Sequence, residues 1–349
     1  MSAASPRIRV MVCDDSLVVR GLLCRLVESD PALELAGRAG NGAEAVRQVA
    51  LLKPDVLVLD IEMPVMDGLA ALPELLRAHP RLRVLVASTL TTRGADIALR
   101  ALRAGAADYV AKPSAAGELS APGGFRDAFL ARLRALGARP DARPAPRPAP
   151  VARPAARPRV VAIGCSTGGP QALFALFGAL PKNFPLPVVL TQHMPKTFTP
   201  ILADHITRLG GLPCAEARDG QMLAPGQALL APGDRHLLVE AQGAGLAARL
   251  SDGPPEHFCR PAVDPMLRSL AAATAGRTLA VILTGMGHDG LAGSRALVEA
   301  GGQVLAQDQP TSVVWGMPGA VAQAGLAREV LPLNAIAACT VALATGVRQ

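Results

Sequence analysis

A serine in a glycine-rich turn is the most chemically suggestive feature of this chain. Residues 164–169 have the sequence GCSTGG around Ser166, after an apolar run and before an apolar, helix-like stretch. A strand, a sharp turn that carries a serine, and a helix match the G-x-S-x-G nucleophile elbow. The same pattern also suits a phosphate or dinucleotide cradle, and the six residues alone favour neither interpretation.

The end of the next predicted strand favours the nucleophile. A dinucleotide cradle expects an acidic residue there, roughly 20 residues after the glycine turn. The strand predicted at residues 187–190 instead ends in Thr191-Gln192-His193, which contains no acid. A histidine is the base that a serine nucleophile needs, because its unperturbed pKa of about 6.5 lets it accept a proton.

A third strand end supplies a carboxylate. The apolar run 279–283 is followed by the segment TGMGHDG, which contains Met286 and Asp289. A carboxylate behind the histidine fixes its tautomer, and glycines around Met286 would let a backbone N–H face a developing oxyanion. The chain order Ser, His, Asp differs from the Ser, Asp, His order of α/β-hydrolases, which excludes that superfamily.

Other histidines compete with this assignment. His288 is an alternative base, but Asp289 cannot easily orient the histidine directly beside it in sequence. The remaining candidates, His205, His236 and His257, lack metal-site spacing with acids, so metal binding is a weaker alternative. We therefore expect Ser166, His193 and Asp289 to act together.

The N-terminal part alternates five apolar runs with amphipathic stretches, which predicts a parallel sheet covered by helices. Polar side chains fall at the carboxyl ends of the predicted strands, where ligands bind in such sheets. These residues are Asp14, Asp15, Asp60, Ser88 and Lys112. Converging carboxylates suit Mg²⁺, and a carboxylate beside the ion can accept a phosphoryl group as an acyl phosphate.

A proline-rich segment divides the chain. Residues 138–158 contain seven prolines, with five arginines against one aspartate, so they hold +4 of the net charge of +7. Such a segment is typical of an extended, solvated spacer. We predict domains at 1–137 and 159–349, the second a doubly wound α/β domain with antiparallel or mixed pairing around residues 214–239. The remaining charge carries no nucleic-acid-binding signature, so no nucleic-acid partner is expected.

Composition and segment patterns predict a cytoplasmic protein. The six cysteines form no C-x-x-C pair, which is typical of a reducing compartment, and the N-terminus lacks a signal-peptide pattern. Residues 160–181 are uncharged and long enough to span a membrane, but the Gly168-Gly169-Pro170 breaker favours a buried strand, turn and helix. We expect no membrane insertion.

The first domain resembles the receiver domain of bacterial response regulators. The matching residues are Asp14-Asp15, the segment LDIEMP at 59–64 with MDG at 66–68, Ser88, and Lys112-Pro113. The resemblance implies that a histidine kinase phosphorylates Asp60, and that Asp15, Asp60 and a backbone carbonyl near Glu62 hold Mg²⁺. It also makes Ser88, Tyr109 and Lys112 the switch residues.

The second domain resembles the methylesterase domain of chemotaxis protein-glutamate methylesterases. The match includes GCSTGGP at 164–170, QHMP at 192–195, RP at 260–261, ILTGMG at 282–287 and GMP at 316–318. Cys165, in place of the usual alanine, and the segment PEHFC at 255–259 depart from the family pattern.

This second resemblance implies a catalytic triad of Ser166, His193 and Asp289, with backbone near Thr167 and Met286 as the oxyanion site and no esterase cofactor. The implied substrates are glutamate 5-methyl esters on helices of chemotaxis receptors, with methanol released and receptor glutamines also deamidated. We expect phosphorylation to activate the esterase. The alternative is a phosphorylation-switched binding protein whose esterase site is inactive or serves another target.

Overall fold

The computed structural model describes residues 6–112, 124–138 and 156–346. The chain divides into two compact units, and the boundary between them falls between residues 140 and 141. Most of the predicted spacer lies outside the described residues, as does Pro113. The domain limits 1–137 and 159–349 therefore stay predictions, and each unit is described by itself.

The first unit is a parallel sheet with helices between its strands. Its elements are β1 (Ile8–Cys13), α1 (Leu17–Glu28), β2 (Leu33–Ala39), α2 (Gly42–Leu52), β3 (Val56–Asp60), α3 (Gly68–Ala78), β4 (Arg83–Ser88), α4 (Thr92–Arg103), β5 (Asp108–Ala111) and α5 (Phe125–Gly137). The strands lie in the order β2-β1-β3-β4-β5. This is the predicted five-stranded parallel sheet.

Short polar side chains cap the first four helices of this unit. The side chains of Ser16, Asn41, Asp67 and Thr91 each accept a hydrogen bond from a backbone N–H in the first turn of the helix that follows. Such caps satisfy donors that have no partner within the helix. They place each helix start just beyond a strand end, at the edge of the sheet that carries the aspartates.

The second unit is a larger α/β layer structure. Its elements are β6 (Val160–Cys165), α6 (Gly169–Ala179), β7 (Val188–Gln192), α7 (Thr199–Thr207), β8 (Cys214–Glu216), β9 (Ala228–Leu230), β10 (His236–Gln242), β11 (Gly245–Ser251), α8 (Val263–Ala273), β12 (Thr278–Ile282), α9 (Leu291–Glu299), β13 (Gln303–Gln307), α10 (Met317–Gln323), β14 (Glu329–Leu331) and α11 (Leu333–Thr345).

The strands of its main sheet are wound in two directions from β6. The order is β14-β13-β12-β6-β7-β9-β8, and every pairing is parallel. Every residue of β6, β7 and β12 is buried, as expected for central strands covered on both faces. Helix α6 packs with α7 and α11, whereas α8 packs with α9. The predicted doubly wound fold is confirmed.

Antiparallel pairing is confirmed in only part of the predicted region. Within residues 214–239, β8 and β9 extend the main sheet in parallel, whereas residues 236–239 of β10 pair antiparallel with β11 in a separate two-stranded sheet. The antiparallel partner of β10 is β11, which follows it through a turn at Gly243 with φ of 57°. Local hairpin closure therefore removes β10 from the main sheet.

Helix α11 was not predicted from the sequence. Its residues are nearly all small and apolar, so the segment lacks the periodic pattern of an amphipathic helix.

Candidate active site

Ser166 lies directly after β6, in the turn that begins α6. Its N–H donates to the carbonyl of Thr284 at 3.0 Å, and its own carbonyl accepts from the N–H of Gly169 at 2.7 Å. Gly168 has φ of 76°, and a Cβ there would lie 2.5 Å from Cβ of Val313. Only glycine suits that position, and the turn leaves Ser166 partly exposed at the start of a helix.

His193 lies at the end of the neighbouring strand. Strand β7 pairs with β6, and the N–H of His193 donates to the carbonyl of Cys165 at 3.2 Å. The side-chain amide of Gln192 donates to the carbonyls of Ser166 and His193, each at 3.1 Å. Gln192 therefore ties the serine turn to the histidine turn.

Asp289 is buried and bonded to His193. The His193 Nε2 to Asp289 Oδ2 distance is 2.7 Å. The carboxylate also accepts from the backbone N–H groups of Val263, Asp264 and Gly290, at 2.6, 2.9 and 2.8 Å. Burial acts to raise the pKa of Asp289, but the bonds from His193 and these amides outweigh it and lower the pKa. The residue is thus held as a carboxylate that orients the imidazole.

The second ring nitrogen of His193 faces a thiol. Its Nδ1 lies 3.3 Å from Sγ of Cys259. Burial acts to lower the pKa of His193, but its bonds to Asp289 and Cys259 outweigh burial and raise the pKa to about 9. Among the described residues, no hydrogen bond joins the Ser166 hydroxyl to His193. The three predicted residues therefore lie at neighbouring strand ends, with the histidine bonded to the carboxylate and to Cys259.

The backbone near Thr167 and Met286 is the predicted oxyanion site. The N–H of Gly285 donates to Val314, and the carbonyl of Gly285 accepts from Met317 at 2.8 Å, which fixes the turn that carries Met286. The N–H groups of Thr167 and Met286 donate to no acceptor within the part of the chain that the structure describes. Two amides, one within the serine turn and one in the turn that precedes Asp289, are thus available to a ligand.

His288, the alternative candidate for the base, is not the histidine that bonds to Asp289. The His288 ring packs edge-on against His257, with centroids 4.6 Å apart, whereas the hydrogen bond of Asp289 goes to His193. His257 in turn donates to Asp264 at 2.8 Å. Although sequence spacing predicted no metal ligands here, ligand atoms of Glu256, His257 and Asp264 lie within 4.8 Å of one another. Glu256 pairs with Arg268, and Asp264 is bonded to His257, so both carboxylates of this cluster already have partners in the protein.

Sequence reasoning did not assign Gln192, His257, Cys259 or Asp264 to the site. The signal for Cys259 and His257 was their place in the segment that departs from the family pattern. Gln192 stood within the matched segment QHMP without a role, and Asp264 lies three residues after the matched RP at 260–261. Their contacts join segments that are 25 to 66 residues apart in sequence, which spacing alone does not reveal.

The strand ends of the first unit bring three carboxylates and a lysine together. Oxygens of Asp14, Asp15 and Asp60 lie within 4.8 Å of one another. Nζ of Lys112 lies 2.8 Å from Asp14 and 2.7 Å from Asp60. Burial raises the pKa of Asp60, with Lys112 acting against it. Clustered hard oxygen donors of this kind fit Mg²⁺.

The other residues expected at this site occupy different surroundings. The Glu62 carboxylate is exposed and pairs with Arg93 at 3.2 Å, so its side chain is not part of the cluster and only its backbone carbonyl remains as the expected ligand. The Ser88 hydroxyl donates to the carbonyl of Gly94 at 2.8 Å beside a pocket that Asp60 and Lys112 also line. Tyr109 is buried, and burial raises the pKa of its hydroxyl.

Comparisons with known proteins match each half of the chain to a known domain family. Residues 10–122 match the response regulator receiver domain, and residues 161–340 match the CheB methylesterase family. A protein-glutamate methylesterase/protein-glutamine glutaminase of Rhodospirillum centenum is 49% identical, over 96% of this chain and 93% of the relative. A second, from Rhodospirillum rubrum, is 50% identical over 95% of this chain and 94% of the relative.

Solved structures give the same result for the second unit. The catalytic domain of the Thermotoga maritima CheB methylesterase is 42% identical, with a TM-score of 0.52, and the match covers 54% of this chain and all of that domain. In the described ranges, no helix has both the length and the apolar character needed to cross a bilayer. The chain belongs to the protein-glutamate methylesterase/protein-glutamine glutaminase family, whose receiver and CheB methylesterase domains it carries in that order.

Proposed function

We propose that this chain is a phosphorylation-activated serine hydrolase that removes methyl groups from glutamate methyl esters on chemotaxis receptors. The observation that carries the proposal is the carboxylate-bound imidazole of His193, one strand away from Ser166 in a nucleophile-type turn. We assign Ser166, His193 and Asp289 as the catalytic triad. The matched family ranges support receiver and esterase domains at 1–137 and 159–349, joined by a spacer at 138–158.

The reaction begins with attack of the Ser166 hydroxyl oxygen on the ester carbonyl carbon. Nδ1 of His193, the nitrogen not bonded to Asp289, accepts the serine proton. The amides of Thr167 and Met286 donate to the oxyanion, and preorganised donors of this kind contribute roughly 10²–10³-fold each to the rate. The tetrahedral intermediate collapses, the C–O bond to the methoxy group breaks, and His193 returns the proton to the departing methanol.

Water completes the cycle. It attacks the acyl-enzyme ester on Ser166 while His193 accepts a proton from it, and the new tetrahedral intermediate releases the free glutamate side chain and the serine hydroxyl. The same steps act on a receptor glutamine, with ammonia as the leaving group in place of methanol. The chain's own residues supply each step, so we propose no cofactor for the esterase reaction.

The thiol of Cys259 contacts Nδ1 of His193, the nitrogen that must accept the serine proton. Nδ1 of His193 therefore exchanges its thiol partner for the Ser166 hydroxyl before attack. Only neutral imidazole can accept the proton, so with a pKa of about 9 the value of kcat/KM rises as the pH rises towards 9, by about tenfold per pH unit.

Replacing this thiol shifts the pH dependence. Cys259→Ala removes one of the two partners that raise the pKa of His193, so we expect the rising limb of kcat/KM to move to lower pH and the rate at neutral pH to increase several-fold. Cys339→Ala, in α11, is the matched control and leaves the limb in place. A Cys259→Ala limb that coincides with that of the wild type would remove Cys259 from this role.

The receiver half supplies control. We propose that a histidine kinase phosphorylates Asp60, with Mg²⁺ held by Asp14, Asp15, Asp60 and the backbone carbonyl near Glu62. When bound, Mg²⁺ would reduce the electrostatic repulsion between these carboxylates and the incoming phosphoryl group. Lys112 neutralises phosphoryl charge, and Ser88 and Tyr109 respond to it. We propose a cytoplasmic location, which the six free thiols support because free thiols are typical of a reducing compartment.

Asp60→Asn removes the phosphoryl acceptor. Incubated with a small-molecule phosphodonor and Mg²⁺, the wild type should gain the mass of one phosphoryl group, and Asp60→Asn should gain none. Asp55→Asn, which alters an aspartate just before β3, is the control and should still be modified. Equal modification of the Asp60→Asn protein would show that another residue accepts the phosphoryl group.

Methanol release from methylated receptor tests the function itself. The wild-type chain, treated with phosphodonor, is expected to release methanol from purified methylated chemoreceptor and ammonia from receptor that carries glutamine. A phosphorylated chain that binds receptor but releases no methanol would contradict the esterase and favour a binding protein.

A further inference from the structure

Phe258 is a large apolar side chain that is 98% exposed. It lies in a short turn between Glu256 and Cys259, whose backbones exchange two hydrogen bonds of 3.1 and 2.8 Å. Burial normally accounts for a phenylalanine, because removing its surface from water stabilises the fold. Phe258 contributes no such burial, so the stability of this unit does not explain its presence.

The backbone at Phe258 adds to this cost. The two central residues of the turn, His257 and Phe258, have φ of 52° and 61°. Tight hairpin turns with two positive φ values favour asparagine and glycine, since bulky side chains are strained in this region. Strained positions of this kind concentrate at functional sites.

The turn is attached to the catalytic residues on both sides of Phe258. Cys259 contacts Nδ1 of His193 at 3.3 Å. His257 Nε2 lies 2.8 Å from Asp264 and 4.0 Å from Oδ1 of Asp289. Glu256 is paired with Arg268 of α8. These contacts fix the turn and hold an exposed aromatic ring beside the triad.

From this arrangement we propose that Phe258 is a specificity residue that packs against an apolar side chain of the substrate helix, next to the methylated glutamate. The inference rests on the proposed function. On a helix, residues three and four positions away lie on the same face, about 5–6 Å apart. A helix whose ester reaches Ser166 therefore presents such neighbours to the surface around the triad, where Phe258 stands.

Comparison of two substrates tests this role. The full-length chain with phosphodonor is assayed on methylated chemoreceptor and on the γ-methyl ester of an N-acyl glutamate, which has no helix neighbours. Phe258→Asn removes the ring but keeps a residue that tolerates positive φ, so the turn is preserved. We expect kcat/KM for the receptor to fall by about tenfold or more, mainly through KM, and the value for the small ester to stay unchanged.

Two further variants complete the test. Phe258→Leu keeps an apolar side chain and should retain most of the receptor activity. Met222→Ala, which truncates another exposed hydrophobic residue of this unit, should leave both activities unchanged. An unchanged receptor kcat/KM in Phe258→Asn, or an equal loss on both substrates, overturns the inference while leaving the esterase intact. Absence of methanol from both substrates in the wild type would instead overturn the proposed function.

Discussion

Ser166→Ala is expected to reduce methanol release from methylated receptor by about 10⁵-fold or more, because loss of a serine nucleophile removes the covalent route entirely. The substitution deletes one oxygen at a partly exposed position whose backbone bonds, to Thr284 and Gly169, do not involve the side chain. The fold should therefore be retained. Phosphorylation of Asp60 should also be unaffected, since the phosphoryl acceptor belongs to the other unit.

The control for this variant is Ser251→Ala, which removes a serine hydroxyl from the end of β11 in the same unit. Steady-state methanol release and phosphoryl incorporation are measured on the wild type and both variants. Methanol release by Ser166→Ala within tenfold of the wild-type rate would show that a different nucleophile acts.

Asp289→Asn is expected to lower kcat by about 10⁴-fold, the effect seen when the orienting carboxylate of a Ser-His-Asp triad is neutralised. The carboxylate holds Nε2 of His193 at 2.7 Å and keeps Nδ1 free of its proton for catalysis. An amide in its place can donate to Nε2 and so favour the tautomer with the proton on Nδ1. Since Asp289 also raises the pKa of His193, the remaining activity should titrate at lower pH.

Asp289→Asn should also destabilise the fold, because three backbone amides lose a charged acceptor inside the protein. Activity is therefore measured well below the melting temperature of the variant, with circular dichroism as a check on folding. Asp308→Asn, which alters an aspartate that bonds to the exposed Thr311, is the control. A fall in kcat of less than tenfold in folded Asp289→Asn would contradict the assigned role.

The functional residues at the strand ends could be predicted from the sequence, because parallel strands bring the residues that follow them to one edge of the sheet. Apolar runs followed by Ser166, His193 and Asp289 place these residues at one edge of a parallel sheet, whatever the details of packing. The same reasoning located Asp14, Asp60 and Lys112, and the Lys112 ammonium lies within ion-pair distance of both carboxylates.

Contacts from loops could not be predicted in this way. The thiol of Cys259 reaches His193 across 66 residues of sequence, through a turn whose direction depends on positive φ at two bulky residues. Pairing of β10 with β11 likewise depends on a tight local turn at Gly243, which the apolar pattern of the strands does not specify. Periodicity reports which face is buried, and it carries no information on which loop covers a catalytic group.

We propose that one chain joins a phosphoryl switch at Asp60 to a serine esterase at Ser166. The most direct test measures initial methanol release from methylated chemoreceptor by the full-length protein, with and without phosphodonor and Mg²⁺, for the wild type and Asp60→Asn. We predict that the phosphodonor accelerates release by the wild type and leaves the rate of Asp60→Asn at its basal level. Equal acceleration of both proteins, or no methanol from either, would contradict the account.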